Sequence, residues 1–217
     1  MNGSGEHSNP RGAEAPPQPP AWWQTVFLAA CLAGLVAGLA VLWRFEQTPG
    51  RSATIEAAWP AASRLVSDPR SPTLVMFAHP RCACTRASLA NLRALIGPFT
   101  GRLVAYVAFM RPHEAGPEWL ETDTWADASS IPDVHVVADE DGREAALFGA
   151  RTSGQVVLYD PQGRLVFSGG ITPARGAVGV TDQTRSLAAL LEAETQGTIV
   201  TASTARAAGA VFGCRLQ

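Results

Sequence analysis

One stretch decides the fold: TLVMFAHPRCACTRASLANLRALI, residues 73–96. It begins with a short apolar run, residues 74–78, which is typical of a buried β-strand. A sharp break follows, HPRCAC, which carries thiols at Cys82 and Cys84. After the break leucines recur at helical spacing, and Gly97-Pro98 ends the pattern. The stretch therefore predicts a strand, a thiol-bearing turn and a helix.

The position of the two thiols predicts redox chemistry. Backbone N–H groups and the dipole at the start of a helix favour thiolate over thiol. Cys82 and Cys84 are one residue apart, so a disulfide between them needs a tight turn and should be strained. A strained, exposed disulfide has a raised reduction potential, which suits an oxidant or isomerase better than a reductant. Arg81 either stabilises a thiolate here or is simply solvated.

The sequence leaves the attacking thiol open. Read as C-x-x-T, the turn makes Cys82 the sole attacking thiol, with Thr85 as hydroxyl donor and helix cap. Alternatively, Cys84 is the second cysteine of a redox-active pair with Cys82. Cys214 lies in a tail of about twenty residues, which at about 3.3 Å per residue is long enough to reach the turn. We predict that Cys214 lies near Cys82 and Cys84 and either resolves their disulfide or shares a metal with them.

The same residues permit a competing metal-binding hypothesis. His79 precedes Cys82 by three residues, and a histidine with two or three thiolates is a ligand set for Cu(I) or Zn(II). A copper-binding or copper-delivery protein would use His79, Cys82, Cys84 and Cys214. The redox hypothesis requires no cofactor, and metal content of the purified protein discriminates between the two.

Composition narrows the class of partner. The 217 residues carry a formal charge of −2, and every basic residue is arginine, so nothing indicates a nucleic-acid partner. Only 4 cysteines are present, too few for a scaffold built on disulfides. We expect protein thiols or disulfides as partners.

The N-terminal part predicts a membrane anchor. Residues 1–21 are polar and proline-rich, which favours a disordered tail. Residues 22–43 carry no charge and have tryptophans at both ends, matching the roughly 20 residues of a transmembrane helix. Gly34 and Gly38 form a GxxxG pattern, which a weak homodimer would use.

The anchor is predicted to be uncleaved and to face outward. Residues 28–31 resemble a lipobox ending in Cys31, but the apolar run continues well past that cysteine. Arg11 lies before the helix and Arg44 and Arg51 after it, which on the positive-inside rule slightly favours a cytoplasmic domain. An exposed thiol pair and a short N-terminal tail favour the opposite side, and we expect the C-terminal domain outside the cytoplasm.

The rest of the chain predicts an α/β domain. Residues 44–72 form a linker with a short helix, residues 73–197 the domain, and residues 198–217 a tail carrying Cys214. Within the domain, strands are predicted at 103–109, 134–138, 155–159 and 165–168, and helices at 114–128, 143–148 and 186–193. The last two strands flank DPQG, residues 160–163, a strong hairpin turn.

This order of elements resembles the thioredoxin fold, in the form with an extra unit before the closing hairpin that membrane-anchored thioredoxins and peroxiredoxin-like domains have. In detail, HPRCACTRASL, IPDVHVVADEDGREAALFGARTSGQVVLYD, SGGIT and VFGC resemble the small bacterial group labelled RedB. The resemblance covers about residues 74–214. It implies a thioredoxin-like fold, a central mixed sheet flanked by helices, after one transmembrane helix. It also implies a thiol–disulfide oxidoreductase of the bacterial inner membrane with a periplasmic domain.

The sequence departs from thioredoxin at two places. The pair is C-x-C instead of C-x-x-C, and Gly154 stands where thioredoxins have a cis-proline beside the thiols. Ala177 follows Arg175-Gly176 at a place where the resembling group often has a histidine. The missing proline weakens the case for ordinary docking of substrate thiols, and Ala177 removes one candidate polar group.

Overall fold

A computed structural model of the chain describes residues 20–50, 55–197 and 207–216. Its helices and strands are α1 Ala21–Gln47, β1 Thr73–Ala78, α2 Ala83–Ile96, β2 Val104–Arg111, α3 Asp123–Ser129, β3 Val134–Glu140, α4 Arg143–Leu147, β4 Gln155–Tyr159, β5 Leu165–Gly170, α5 Asp182–Thr195 and β6 Ala207–Ala208.

Helix α1 is long and apolar enough to cross a membrane, by length and composition. It continues past Trp43, the end predicted from the sequence, through Arg44 to Gln47. Its large apolar side chains are exposed, as they must be if lipid is to cover them. The chain divides into two compact units, Met1–Arg44 and Phe45–Gln217, and the second contains the thiol turn.

The second unit is built on one six-stranded sheet in the order β3-β2-β1-β4-β5-β6. Strands β1, β2 and β3 are parallel, β4 pairs antiparallel with β1, and β5 antiparallel with β4. The unit β1–α2–β2 followed by the hairpin β4–β5 and helix α5 is the thioredoxin-like arrangement, with α3 and β3 as the extra unit. The predicted fold class is confirmed.

Strand β1 lies in the centre of the sheet and is buried on both faces, because all six of its residues are covered. On one face Leu74 and Met76 pack against leucines of α2 and α5. On the other, Val75 and Phe77 pack in a second cluster with Phe148. This double burial fixes the carboxyl end of β1, from which the thiol turn leaves.

Two predicted helices differ in the structure. The helix expected over 114–128 is divided into a 3₁₀ turn, Pro117–Trp119, and α3, because the Thr122 hydroxyl accepts the Trp125 N–H and starts a new helix. Helix α5 begins four residues earlier than predicted, because Thr181 and Thr184 form a reciprocal capping box.

The segment before β1 carries no helix in its described residues 55–72, which corrects the short helix expected there. Trp59 instead contacts Phe148 and Tyr159 edge to face, at 4.9 and 5.3 Å between ring centroids. Its backbone N–H donates to the Gly163 carbonyl at 2.7 Å. Aromatic packing therefore determines the course of this segment more than helical periodicity does.

Candidate thiol site

The thiol turn places Cys82 at the start of α2. Cys82 is the N-cap residue, with extended backbone angles of φ −89° and ψ 122°. Its N–H donates to the His79 carbonyl at 3.1 Å, and its own carbonyl accepts the Thr85 N–H at 3.0 Å. The Cys82 side chain is only 3% exposed, whereas Cys84, in the first turn of the helix, is half-buried. Both sulfurs therefore lie at the positive end of the helix dipole.

Buried hydroxyl groups from separate elements fix this turn. The Thr85 hydroxyl donates to the His79 carbonyl at 2.9 Å and contacts the Ser153 hydroxyl at 3.2 Å. Ser153 in turn accepts the His79 N–H at 2.9 Å. Thr124, in α3, donates to the Pro80 carbonyl at 2.7 Å. Because each bond replaces water at a buried polar group, removing one leaves a partner unsatisfied.

The C-terminal segment, residues 211–216, runs beside the loop that leads into β4. The Ser153 N–H donates to the Cys214 carbonyl at 2.8 Å, and the Leu216 N–H donates to the Arg151 carbonyl at 3.1 Å. Val211 and Leu216 are buried at its two ends. Gly213 leaves no room for a Cβ, which would overlap the Ser153 carbonyl. This pairing brings Cys214 to the thiol turn.

The three thiols affect one another's ionisation, with Cys82 as the shared partner. Burial acts to raise the pKa of Cys82, but hydrogen bonds from the Cys214 and Cys84 thiols and from their backbone N–H groups outweigh it and lower that pKa below 9.0. Burial and the neighbouring Cys82 charge raise the pKa of Cys84. Burial and the hydrogen bond it donates to Cys82 raise the pKa of Cys214 to about 12. Cys82 is thus the thiol that ionises first.

Other residues predicted from the sequence have separate places around the cluster. Gly154, at φ +88°, donates its N–H to the Phe77 carbonyl at 2.8 Å. Arg81 stacks on the Trp119 ring at 4.1 Å from the ring centroid. The His79 Nδ1 accepts the Arg81 N–H at 3.1 Å, and burial, then the Arg81 charge, lowers the pKa of His79. His79 therefore stabilises the turn through its hydrogen bonds with Arg81, Thr85 and Ser153. None of these bonds involves a thiol.

The arrangement of donors bears on the metal hypothesis. Among the residues that the structure describes, no three His, Cys, Asp or Glu side chains are grouped so that they could hold a metal ion. The His79 ring faces Trp119 at 5.9 Å between ring centroids.

Sequence reasoning did not assign roles to three residues of the site. Ser153 joins the turn to the C-terminal segment. The Arg175 guanidinium donates to the Gly213 carbonyl at 2.6 Å, and its charge acts to lower the pKa of both Cys84 and Cys214. The Gly176 N–H hydrogen-bonds the Cys84 sulfur. In the sequence these residues lie in or just after the TSG and GGIT segments. Those segments indicate the region of the site but not which of its atoms face the thiols.

Comparison with known proteins shows a shared fold. No family model matches the chain, and no curated protein matches it. A crystal structure of a hypothetical protein from Sinorhizobium meliloti 1021 is 23% identical, with 78% of this chain and 97% of that chain covered and a TM-score of 0.58. An uncharacterized conserved protein from Geobacillus kaustophilus is 18% identical, with 78% and 92% covered and a TM-score of 0.54. At these identities the likeness extends to the fold alone.

Proposed function

We propose that this chain is a membrane-anchored thiol–disulfide oxidoreductase, working outside the cytoplasm, in which Cys82 supplies the reactive thiolate. The observation that carries the proposal is the environment of one atom. Cys82 is the N-cap residue of α2, and hydrogen bonds from Cys84 and Cys214 act to lower its pKa. Such contacts stabilise a thiolate, which is the form that enters thiol–disulfide exchange.

The remainder of the proposal concerns place and family. Helix α1 would hold the domain at a bacterial inner membrane, with the thiol site on the periplasmic side, where disulfides persist. The motifs HPRCACTRASL, SGGIT and VFGC support placement with the RedB group. Partners would be protein thiols or disulfides, and exchange between sulfurs requires no cofactor.

A copper-binding function is the second candidate, because Cys82, Cys84 and Cys214 influence one another's ionisation and soft thiolate ligands select Cu(I). The described donors lie in no grouping that would hold an ion as they stand. Copper would therefore have to reposition at least the Cys84 or Cys214 side chain.

Oxidation of a reduced two-cysteine peptide by the full-length protein in detergent tests the proposal. We expect the oxidised protein to form the peptide disulfide, and Cys82→Ser to reduce the rate to the uncatalysed background. Cys31→Ser is the matched control, because Cys31 lies in α1 and belongs to the other unit. Copper is measured in the same preparations. Stoichiometric copper together with no peptide oxidation would replace the redox proposal by the copper one.

A further inference from the structure

The three thiols differ in how a partner protein can reach them. Cys82 is 3% exposed, so its sulfur is closed to an approaching protein thiol. Cys214 is exposed, and its carbonyl accepts the Ser153 N–H beside the thiol turn. The backbone pairing with Ser153 and the buried Leu216 hold Cys214 in that position. Of these two thiols, one is therefore accessible and the other is enclosed.

Cys82 and Cys214 also differ as leaving groups. In thiol–disulfide exchange the thiol of lower pKa leaves faster, and the sulfur that can be reached is the one attacked. While Cys214 is in a disulfide it has no S–H to donate, but hydrogen bonds from the Cys84 thiol and from the Cys84 and Cys214 N–H groups still act to lower the pKa of Cys82. Burial raises the pKa of Cys214. Attack on a Cys82–Cys214 disulfide at the Cys214 sulfur would release the Cys82 thiolate, the better leaving group, next to hydrogen-bond donors that stabilise it. Accessibility and acidity thus favour the same direction of attack.

We propose that Cys82 and Cys214 form the exchanging disulfide, and that partner thiolates attack it at the exposed sulfur of Cys214. This inference rests on the proposed oxidoreductase function and specifies its partner-facing atom. Cys84 acts as a positioning residue, whose thiol and N–H hold the Cys82 thiolate after it leaves. The substrate class is a protein dithiol with one ionised sulfur.

The reaction balances in two steps. A partner thiolate forms a bond to the Cys214 sulfur, the Cys82–Cys214 bond breaks, and Cys82 leaves with the electron pair as a thiolate. The second partner thiol then attacks the partner's own sulfur in this mixed disulfide. Cys214 leaves and takes up the proton that the second thiol gives up. The partner is oxidised to a disulfide, the protein gains a Cys82 thiolate and a Cys214 thiol, and a disulfide-bearing oxidant regenerates it.

Peptide mapping tests which disulfide forms. The full-length Cys31→Ser protein in detergent is oxidised with glutathione disulfide, freed of small molecules, blocked with N-ethylmaleimide and digested with trypsin. Cleavage after Arg81, Arg86, Arg206 and Arg215 yields CACTR and AAGAVFGCR. We expect these two peptides to be joined, with fragmentation locating the bond at Cys82. A CACTR peptide that is lighter by two hydrogens would show a Cys82–Cys84 bond and overturn the inference.

A second measurement identifies the attacked sulfur. The disulfide form is exposed briefly to reduced glutathione, quenched with acid and mapped in the same way. We expect glutathione on Cys214 and a free Cys82, and glutathione chiefly on Cys82 would overturn the inference. Failure of the proposed function is distinct from both results: no disulfide among Cys82, Cys84 and Cys214 would form, and glutathione would exchange with none of them.

Discussion

At the scale of single residues, titration of Cys82 depends on neighbours brought from distant parts of the chain. Replacing Cys214 by alanine removes the thiol donor while the pairing of its backbone with Ser153 can remain. We expect the pKa of Cys82 to rise in Cys214→Ala, because its thiolate loses one stabilising hydrogen bond. Thiolate absorbance in the ultraviolet, followed against pH, measures this change. Cys31→Ala should leave the titration where it is, and an unshifted Cys214→Ala curve would contradict the assigned contact.

The same groups predict how stability depends on pH. Cys82 has a lower pKa when folded than its ordinary 9.0, so its thiolate contributes stability above 9.0 that is lost as pH falls through the folded pKa. Cys84 and Cys214 have raised pKa values, so stability declines as pH rises past their unfolded values. For the reduced protein, the free energy of unfolding relative to Cys82→Ser should rise with pH up to about 9.0. Urea unfolding at a series of pH values measures it, and a flat difference would contradict the lowered pKa.

The limits of sequence prediction at this scale are illustrated by Cys214 and Arg175. Chain length alone allowed Cys214 to reach the thiol turn, and the structure places it there. Arg175 received no role, because its contact with the Gly213 carbonyl exists only when the loop after β5 and the C-terminal segment come together. Local patterns indicate which residues carry chemistry. They do not encode which of several arginines faces the sulfurs.

At the scale of elements, the C-terminal segment determines whether the third thiol is present. Because a Cβ on Gly213 would overlap the Ser153 carbonyl, Gly213→Ala must displace the segment or the loop. We expect a cost of about 1–3 kcal/mol in the free energy of unfolding, typical of overpacking. We also expect slower oxidation of the two-cysteine peptide. Unfolding and oxidation rates of the full-length variant measure both effects.

Gly97→Ala is the matched control for that variant. Gly97 ends α2 in right-handed helical geometry, and an added Cβ meets nothing within 4 Å. The same substitution there should leave both the unfolding free energy and the oxidation rate close to those of the unchanged protein. Equal effects at Gly97 and Gly213 would show that the close approach to Ser153 does not govern the site.

Element boundaries show what local sequence determines. The strand, turn and helix of residues 73–96 were predictable from local sequence. A continuous apolar run indicates the doubly buried strand β1, and the spacing of the leucines indicates helix α2. Segment 55–72 was predicted with a helix, and no helix is present in those residues. Trp59 packs on Phe148 and Tyr159, which follow it by many residues. Contacts of that kind override local periodicity and have no local signal.

At the scale of the whole molecule, α1 and the domain make separable contributions. Helix α1 is apolar and exposed, whereas the unit Phe45–Gln217 has its own sheet and two core clusters. We expect the full chain to sediment with membranes and to need detergent for extraction. A chain starting at Phe45 should remain in solution with the pH titration of Cys82 preserved. Membrane fractionation and ultraviolet titration measure the two outcomes, and a full chain that washes off with alkaline carbonate would contradict the anchor.

Orientation is a separate prediction. If the thiol site works outside the cytoplasm, a reporter enzyme that is active only in the periplasm should be active when fused after Arg51. The arginine count around α1 slightly favours the reverse, so the reporter decides between the two orientations. Activity solely of a cytoplasmic reporter at the same position would place the domain on the inner side.

The pairing of the C-terminal segment with the Ser153 loop also determines when the site becomes complete. Ribosomes deliver a chain from its N-terminus, so Cys82 and Cys84 emerge long before Cys214. Strands β1 to β5 can assemble in that interval, and during it Cys82 lacks the Cys214 donor. In the nascent protein the thiol pKa of Cys82 would therefore differ from its value in the complete chain. Arrival of residues 211–216 is then a maturation step, and a protease that removed them would take away the Cys214 donor together with the buried Val211 and Leu216.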